Sequence, residues 1–144
     1  MRSSTRTSPR VADRSPRGLL DTSVVVDLDS ISAEVLPEHV AVSAVTLAEL
    51  AAGPTAAADL AERARRQDRL QRAEAAFDPL PFDVEAARAY ARIYAAVRAH
   101  GRSAQRRLAD LFIASIALAN DLPVVTRNGA DFAGLDELVE IIEI

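Results

Sequence analysis

The chain has 144 residues, 49% of them hydrophobic and 26% charged, which are the proportions of a single globular domain. It contains no cysteine, and this excludes disulfides, thiolate metal sites and cysteine nucleophiles. Its two histidines, His39 and His100, are far apart, which argues against a zinc site or a Ser-His-Asp triad. No apolar run reaches the roughly 18 residues of a membrane helix, so we expect no membrane segment. The lack of cysteine fits a reducing compartment, and we expect a cytoplasmic location.

All 17 basic residues are arginine. A P-loop is therefore excluded, because it needs a lysine. Response-regulator receivers and haloacid-dehalogenase-type phosphotransferases also place an aspartate after a first strand, but they normally use a lysine that this chain lacks.

The charge is unevenly distributed along the chain. Residues 1–17 hold five arginines and one acid, whereas the remainder holds 12 arginines and 20 acids. The first segment has too few apolar side chains to offset its ordering entropy, which predicts a disordered basic tail over 1–17 and a folded domain over 18–144. The tail either adds electrostatic affinity for nucleic acid or has no role. Because the body is acidic, a simple basic-patch nucleic-acid binder is a poor description of it.

The stretch Gly18–Leu20 predicts a buried strand that ends at Asp21, after which Thr22 and Ser23 turn the chain into a helix or turn through Leu28. In open α/β sheets this carboxyl edge is where ligands bind. The alternative explanation for Asp21 is that it caps the following helix.

The rest of the chain alternates between strand and helix patterns. The predicted elements are a short helix over 31–36, a strand over 39–43, a helix from 45 that stops at Gly53-Pro54, and a helix over 56–77 with one face formed by Leu60, Ala64, Gln67, Leu70, Ala73 and Phe77. They continue with an edge strand over 80–82, a helix that is capped by Asp83 and runs to about His100 with a buried stripe of Val84, Ala87, Ala91 and Tyr94, a helix over 108–120, and strands over 122–126 and 139–144. This alternation implies a parallel sheet with helices on both faces.

Four acids, Asp21, Glu49, Asp110 and Asp131, each follow a predicted strand or open a predicted helix, so all four can meet at one edge of the sheet. Taken singly, each of them has a capping explanation. Glu49 is spaced from Thr46 as a capping box, and Asp110 is favourably placed at the positive end of a helix dipole. The helix of Asp110 is otherwise very apolar, however, and a buried aspartate needs a partner or a metal.

Several carboxylates in one cleft repel each other unless a cation compensates them. Mg²⁺ and Mn²⁺ prefer oxygen ligands, so one or two such ions would supply that compensation. With no other nucleophile available, the natural chemistry is metal-activated water attacking a phosphodiester.

Four motifs carry a family resemblance: Leu20-Asp21-Thr22-Ser23, Thr46-Leu47-Ala48-Glu49-Leu50, Arg107-Leu108-Ala109-Asp110-Leu111-Phe112-Ile113-Ala114 and Val125-Thr126-Arg127-Asn128-Gly129-Ala130-Asp131-Phe132. In this order and spacing the chain resembles PIN-domain ribonucleases, and more closely the VapC toxins of bacterial toxin–antitoxin pairs. The resemblance implies an α/β fold, a three-layer α/β/α sandwich with a mainly parallel sheet. It also implies Mg²⁺- or Mn²⁺-dependent endoribonuclease activity, a homodimer, and inhibition by a cognate VapB-like antitoxin.

The resemblance assigns the metal and the catalysis to Asp21, Glu49 and Asp110, with Asp131 as a fourth position that is less fixed in the family. Weaker candidates for orienting the RNA substrate are Ser23, Asn128, Arg106 and Arg107, and Arg102 lies in the same loop as the last two. Three other functions stay open: a metal-dependent DNA or structure-specific nuclease, a non-catalytic PIN-fold binding module, and a phosphatase that forms a phosphoryl-enzyme at Asp21.

Overall fold

The computed structural model describes residues 16–102 and 107–144. In these residues the chain forms a four-stranded sheet, five α-helices and three short 3₁₀ turns at Leu28–Ser30, Ala33–Val35 and Gly129–Phe132. The strands and α-helices are β1 (Arg17–Leu20), α1 (Thr22–Val26), β2 (His39–Val42), α2 (Ala44–Ala56), α3 (Leu60–Ala76), α4 (Val84–Ala99), α5 (Leu108–Ala119), β3 (Val124–Thr126) and β4 (Ile141–Glu143).

All strand pairs in the sheet are parallel, in the spatial order β2-β1-β3-β4. The chain moves outward from β1 to β2 on one side and from β3 to β4 on the other. The strand order therefore reverses between β1 and β3, and the carboxyl ends of these two strands form a switch point of the kind where α/β folds bind ligands.

Neighbouring residues of the central strands point to opposite faces, and each face is covered by helices. Leu19 and Val124 pack with the buried residues of α4 and α5, whereas Leu20 and Val125 pack with those of α1, α2 and α3. All four side chains have no solvent exposure. The predicted three-layer α/β/α sandwich with a parallel sheet is confirmed.

The predicted end of a helix at Gly53-Pro54 is wrong, because α2 continues to Ala56. Pro54 has no backbone N–H and so cannot donate a hydrogen bond to the preceding turn of the helix. It is tolerated here because it lies close to the end of the helix. The Gly53 carbonyl accepts a hydrogen bond from Arg66 Nη1 at 2.9 Å, which joins α2 to α3.

The predicted helix over 56–77 is shorter than expected and begins at Leu60, where the Asp59 side chain caps it by accepting from the Glu62 N–H at 2.8 Å. On its predicted apolar face Ala73 is buried and Leu70 and Phe77 are half-buried, whereas Leu60 at the start is 81% exposed. The predicted strand over 80–82 is reduced to one bridge between Leu80 and Ser43. Pro81 has no N–H with which to extend that pairing.

Helix α4 begins after Asp83, as predicted, but its buried stripe was assigned to the wrong residues. Val84 is 64% exposed and Tyr94 is also exposed. The buried residues have helical spacing as well, and they are Ala86, Ala89, Ile93 and Val97. Alanines occupy several faces of this helix, so the larger Ile93 and Val97 decide which face packs inward.

The predicted disordered tail lies outside the described residues, except for its last two. Arg17 belongs to β1, where it pairs with His39, and the Pro16 carbonyl accepts the His39 N–H at 2.9 Å. None of the helices in residues 16–102 and 107–144 combines the length and the apolarity needed to cross a membrane.

Candidate active site

The carboxyl ends of β1 and β3 lie side by side, since the Asp21 N–H donates to the Val125 carbonyl at 2.8 Å. Asp21 follows β1 directly, and the 3₁₀ turn Gly129–Phe132 that carries Asp131 follows β3. Helices α2 and α5 supply Glu49 and Asp110. The acids of four separate segments thus come to one edge of the sheet, as the sequence predicted.

Asp21 is the most buried of the four acids, with only 3% of its surface exposed. Its Oδ1 accepts the Thr22 N–H at 2.8 Å, so it does cap α1. Its Oδ2 accepts two hydroxyl hydrogen bonds, from Ser23 Oγ at 2.9 Å and from Thr126 Oγ1 at 2.8 Å. The capping role and the position in an acidic site therefore coexist.

Glu49 is exposed on α2, and a hydroxyl orients it. Thr22 Oγ1 donates to Glu49 Oε1 at 2.5 Å and lies 2.9 Å from Thr46 Oγ1. The predicted capping box is wrong, because Ser43 caps α2 by accepting the Thr46 N–H at 3.1 Å. Glu49 lies beyond the first turn, so the capping explanation for this acid is removed.

Asp110 lies in the first turn of α5, and 22% of its side chain is exposed. The pKa of Asp110 is raised from 3.8 to about 6, first by burial and then by the charges of Asp21, Asp131 and Glu49, in that order. Favourable placement at the helix dipole would lower the pKa instead. The raised pKa thus reflects burial first, and then the negative charges of the three neighbouring acids.

Arg107 partly neutralises this acidic site. Its Nη1 donates to Asp131 Oδ1 and lies 3.9 Å from Asp110 Oδ2. It also acts to lower the pKa of Asp110, against the larger effects of burial and carboxylate repulsion. Arg107 was predicted to orient the substrate. In this structure its side-chain partners are Asp131 and Asp110.

The other weak candidates differ in what they contact. Ser23 is engaged with Asp21, and the Asn128 backbone N–H donates to Thr126 Oγ1 at 3.0 Å. Arg102 Nη2 donates to the Ala130 carbonyl at 3.4 Å, beside the turn of Asp131. Arg106 lies outside the described residues.

Three threonines were missed in the sequence. The hydroxyls of Thr22 and Thr126 donate to Glu49 and Asp21, and the hydroxyl of Thr46 lies 2.9 Å from that of Thr22. Thr46 and Thr126 are fully buried. One signal was available in the sequence, since Thr126 is a polar residue at the end of the apolar run Val124-Val125 and buried hydroxyls require partners.

The donor set suits a hard divalent cation, because it consists of carboxylate and hydroxyl oxygens with no sulfur or imidazole. As the side chains stand, no three acidic or histidine groups in the described parts of the chain are arranged to ligate one ion together. Mg²⁺ usually keeps several of its waters and binds through one or two carboxylates. Asp21, Glu49, Asp110 and Asp131 therefore fit such an ion through a combination of direct and water-bridged contacts.

Comparison with known proteins agrees with this geometry. The PIN-domain family model matches residues 18–138, and the chain belongs to this family. It is 41% identical over 132 residues to Ribonuclease VapC5 of Mycobacterium tuberculosis, a match that covers 88% of this chain and 95% of that one. The predicted resemblance to VapC proteins is thereby confirmed.

Solved structures of toxin–antitoxin proteins and of FitAcB are also similar to this chain. A VapBC-5 toxin–antitoxin structure from Mycobacterium tuberculosis matches with a TM-score of 0.77 and 40% identity, over 90% of this chain and 99% of that one. FitAcB from Neisseria gonorrhoeae matches with a TM-score of 0.65 and 31% identity, over 87% of this chain and 96% of the other.

Proposed function

We propose that this protein is a Mg²⁺- or Mn²⁺-dependent endoribonuclease and the toxin of a toxin–antitoxin pair. The observation that carries the proposal is the gathering of Asp21, Glu49, Asp110 and Asp131 from four segments at one edge of the sheet. Burial and the charges of the other three acids raise the pKa of Asp110, in agreement with this arrangement. A site that gathers uncompensated negative charge is built to receive a cation. The similarity to a protein named Ribonuclease VapC5 supports RNA as the substrate.

In this proposal Asp21, Glu49 and Asp110 hold the cation, directly or through water, and Asp131 completes the site or positions water. When bound, the ion supplies a water of lowered pKa and offsets negative charge on the phosphate. Asp21 contributes a carboxylate already fixed by its hydrogen bonds. The Thr22 hydroxyl keeps the exposed Glu49 directed toward the site. Hydrolysis by water is expected to leave a 3′-hydroxyl and a 5′-phosphate.

Arg107 supplies a cation that can bind the phosphate of the substrate. Its side chain is 43% exposed, and its present partners are the carboxylates that the metal would compensate. A guanidinium is well suited to phosphate oxygens, which it binds in bidentate fashion. Arg102 lies beside the same turn. Roles for Arg106, Asn128 and Ser23 toward RNA stay predictions.

The proposed partners are a VapB-like antitoxin and a second copy of this chain. Similarity to a toxin–antitoxin complex supports the antitoxin, and we expect a cation from it to approach the acidic site. The sequence pattern predicts apolar faces for these partners around Val45–Ala52 and residues 56–77. The exposed apolar side chains also include Phe82, Tyr94 and Leu108. A monomeric protein whose activity is unchanged by the cognate antitoxin would argue against both partners.

The proposal is tested with matched RNA and DNA oligonucleotides, single-stranded and structured, in Mg²⁺, in Mn²⁺ and in excess chelator. We expect cleavage of RNA that chelator abolishes and either ion restores. Asp110→Asn serves as the inactive control, so that a contaminating nuclease is recognised.

Each alternative function gives a different result in this assay. Full RNA cleavage in excess chelator would contradict metal dependence. Preferential cleavage of DNA or of structured junctions would favour the other nuclease class, and binding of RNA without cleavage would favour a non-catalytic module. A phosphoryl-enzyme at Asp21 would favour a phosphatase. A cytoplasmic location is a prediction that the assay does not address.

A further inference from the structure

Two hydroxyl groups converge on a single oxygen of Asp21. Ser23 Oγ and Thr126 Oγ1 both donate to Asp21 Oδ2, at 2.9 and 2.8 Å. Each hydroxyl also accepts a backbone N–H, from Arg127 at 3.1 Å for Ser23 and from Asn128 at 3.0 Å for Thr126. A hydroxyl has one proton, so donation to the carboxylate fixes the direction of both pairs of hydrogen bonds.

We propose that Thr126 and Ser23 are positioning residues, which fix the Asp21 carboxylate and join it to the turn that carries Asp131. The proposal rests on the proposed function for its catalytic consequence. The consecutive amides of Arg127 and Asn128, just before the turn, donate to the hydroxyls, and the Asp131 N–H donates to the Asn128 carbonyl at 2.9 Å. The placement of Asp131 relative to Asp21 therefore depends on these hydroxyls.

The hydroxyls also determine which oxygen of Asp21 is offered to a cation. A carboxylate oxygen has two lone pairs, and the two donated protons occupy both lone pairs of Oδ2. Oδ1 accepts the Thr22 N–H and keeps a second lone pair. Oδ1 is therefore the oxygen through which Asp21 would hold a cation. Groups behind a ligand that orient it in this way commonly change metal affinity by about 10–100-fold when they are removed.

The Thr126 hydroxyl can be removed without breaking the backbone hydrogen bonds between β1 and β3. Strands β1 and β3 are already joined by backbone bonds from Leu19 to Pro123 and from Asp21 to Val125, both 2.8 Å long. Valine at position 126 keeps the branched shape and continues the apolar run of β3. What it removes is the hydroxyl, which leaves the Asn128 N–H and one lone pair of Asp21 unpaired.

The test compares Thr126→Val with Thr126→Ser, which keeps the hydroxyl, and with Ser23→Ala. Ser115→Ala is the matched control, because Ser115 is also fully buried but donates to the Leu111 carbonyl within α5. The first measurement is hydrogen–deuterium exchange of the peptide over residues 124–132 in metal-free protein. The second is the Mg²⁺ concentration at half-maximal thermal stabilisation, followed by kcat and KM for RNA cleavage.

We expect Thr126→Val and Ser23→Ala to accelerate exchange at 127 and 128 and to raise the Mg²⁺ midpoint by about 10-fold or more. RNA cleavage should lose kcat at subsaturating Mg²⁺ and recover most of it at high Mg²⁺. Thr126→Ser should stay close to the parent in all measurements, and Ser115→Ala should leave exchange over 124–132 and the Mg²⁺ midpoint unchanged.

Unchanged exchange and an unchanged Mg²⁺ midpoint in both Thr126→Val and Ser23→Ala would overturn the proposal. Ser23→Ala keeps the test decisive if Thr126→Val does not fold. The exchange measurement needs neither metal nor RNA. Altered exchange and Mg²⁺ midpoints in a protein that cuts no RNA would therefore support the positioning role while contradicting the nuclease function.

Discussion

The carboxylates of Asp21 and Asp110 lie in the same site but differ in how their negative charge is stabilised. Asp21 is almost fully buried but accepts three hydrogen bonds, from the Thr22 N–H and from two hydroxyls. Asp110 is more exposed, yet burial and the neighbouring acids raise its pKa to about 6. Three neutral hydrogen-bond donors thus stabilise a negative charge on Asp21 without a cation. A negative charge on Asp110 is unfavourable unless a cation is bound nearby.

The largest expected effect is loss of RNA cleavage when either of these acids is neutralised. Asp21→Asn and Asp110→Asn should each reduce kcat/KM by about 100-fold or more, as expected when a preorganised charged group is removed from an active site. Glu85→Gln on the exposed surface of α4 is the control and should retain parental activity. A cleavage assay in saturating Mg²⁺ measures this, and near-parental activity of Asp110→Asn would remove it from the site.

The two substitutions should differ in sign when stability is measured without metal. Asp110→Asn removes an unfavourable charge and should stabilise the protein by about 1–3 kcal/mol at pH 7, since one pKa unit corresponds to about 1.4 kcal/mol. Asp21→Asn weakens hydrogen bonds to a buried charge and should destabilise it by about 1–3 kcal/mol. Urea unfolding in the presence of chelator provides both values. Destabilisation of equal size by both variants would contradict the comparison.

The same difference should appear as a dependence of stability on pH. The pKa of Asp110 in the folded protein is raised from 3.8 to about 6, so the folded state binds the proton more tightly than the unfolded state. Its stabilising contribution is complete below about pH 4 and is lost as the pH rises through 6. Metal-free parent should therefore lose stability relative to Asp110→Asn between pH 4 and 7. Parallel stability curves for the two proteins would exclude the raised pKa.

Thr22→Val tests whether a hydroxyl also holds the exposed acid Glu49. Loss of the Thr22 hydrogen bond should raise the Mg²⁺ midpoint by about 10-fold, because Glu49 is then free to adopt other rotamers. Thr55→Val is the control, since Thr55 lies on the same helix as Glu49 at an exposed position. If both variants bind Mg²⁺ like the parent, Thr22 does not position Glu49.

Arg107→Gln should give a smaller effect with two components. Removing the cation beside Asp131 and Asp110 should lower the Mg²⁺ midpoint a few-fold, whereas the loss of a phosphate contact should raise KM for RNA. The salt dependence of RNA binding should fall by about one unit of log-log slope. Arg88→Gln, on the exposed surface of α4, should change none of these quantities. An unchanged KM would argue against a role of Arg107 toward phosphate.

The smallest effect is expected from the amino-terminal segment. Deletion of residues 1–15 should leave melting temperature and RNA cleavage near parental values, because the segment has few apolar side chains to bury. The deletion has to stop before Pro16 and Arg17, which contact His39 and belong to the sheet region. A truncated protein that fails to fold would show that the segment is structural.

Much of the fold was accessible from the sequence because apolar runs and helix caps are local signals. The strand before Asp21 and the cap at Asp83 were both predicted, and with them the edge where the acids meet. Helix boundaries failed where tertiary contacts override local preference. Arg66 bonds the carbonyl of Gly53, and α2 continues past the Gly-Pro pair that was expected to stop it.

The acids of the site could be predicted, whereas the groups that orient them could not. A carboxylate after a strand is visible in sequence, but Thr126 lies 105 residues from the Asp21 oxygen that it contacts. The cap of α2 was missed for a related reason. Ser43 and Thr46 both match the cap pattern, and only the position of β2 decides between them.

The most direct test of the account is the Mg²⁺-induced shift in melting temperature of the parent and of Asp110→Asn. If the four carboxylates form one metal site, Mg²⁺ at about 100 times its dissociation constant should stabilise the parent by about 2.7 kcal/mol, a shift of about 5–10 °C. Asp110→Asn should melt at or above the parent without metal and gain much less from Mg²⁺. A variant that melts lower without metal and keeps the full Mg²⁺ shift would contradict the assignment of Asp110 and of the site built around it.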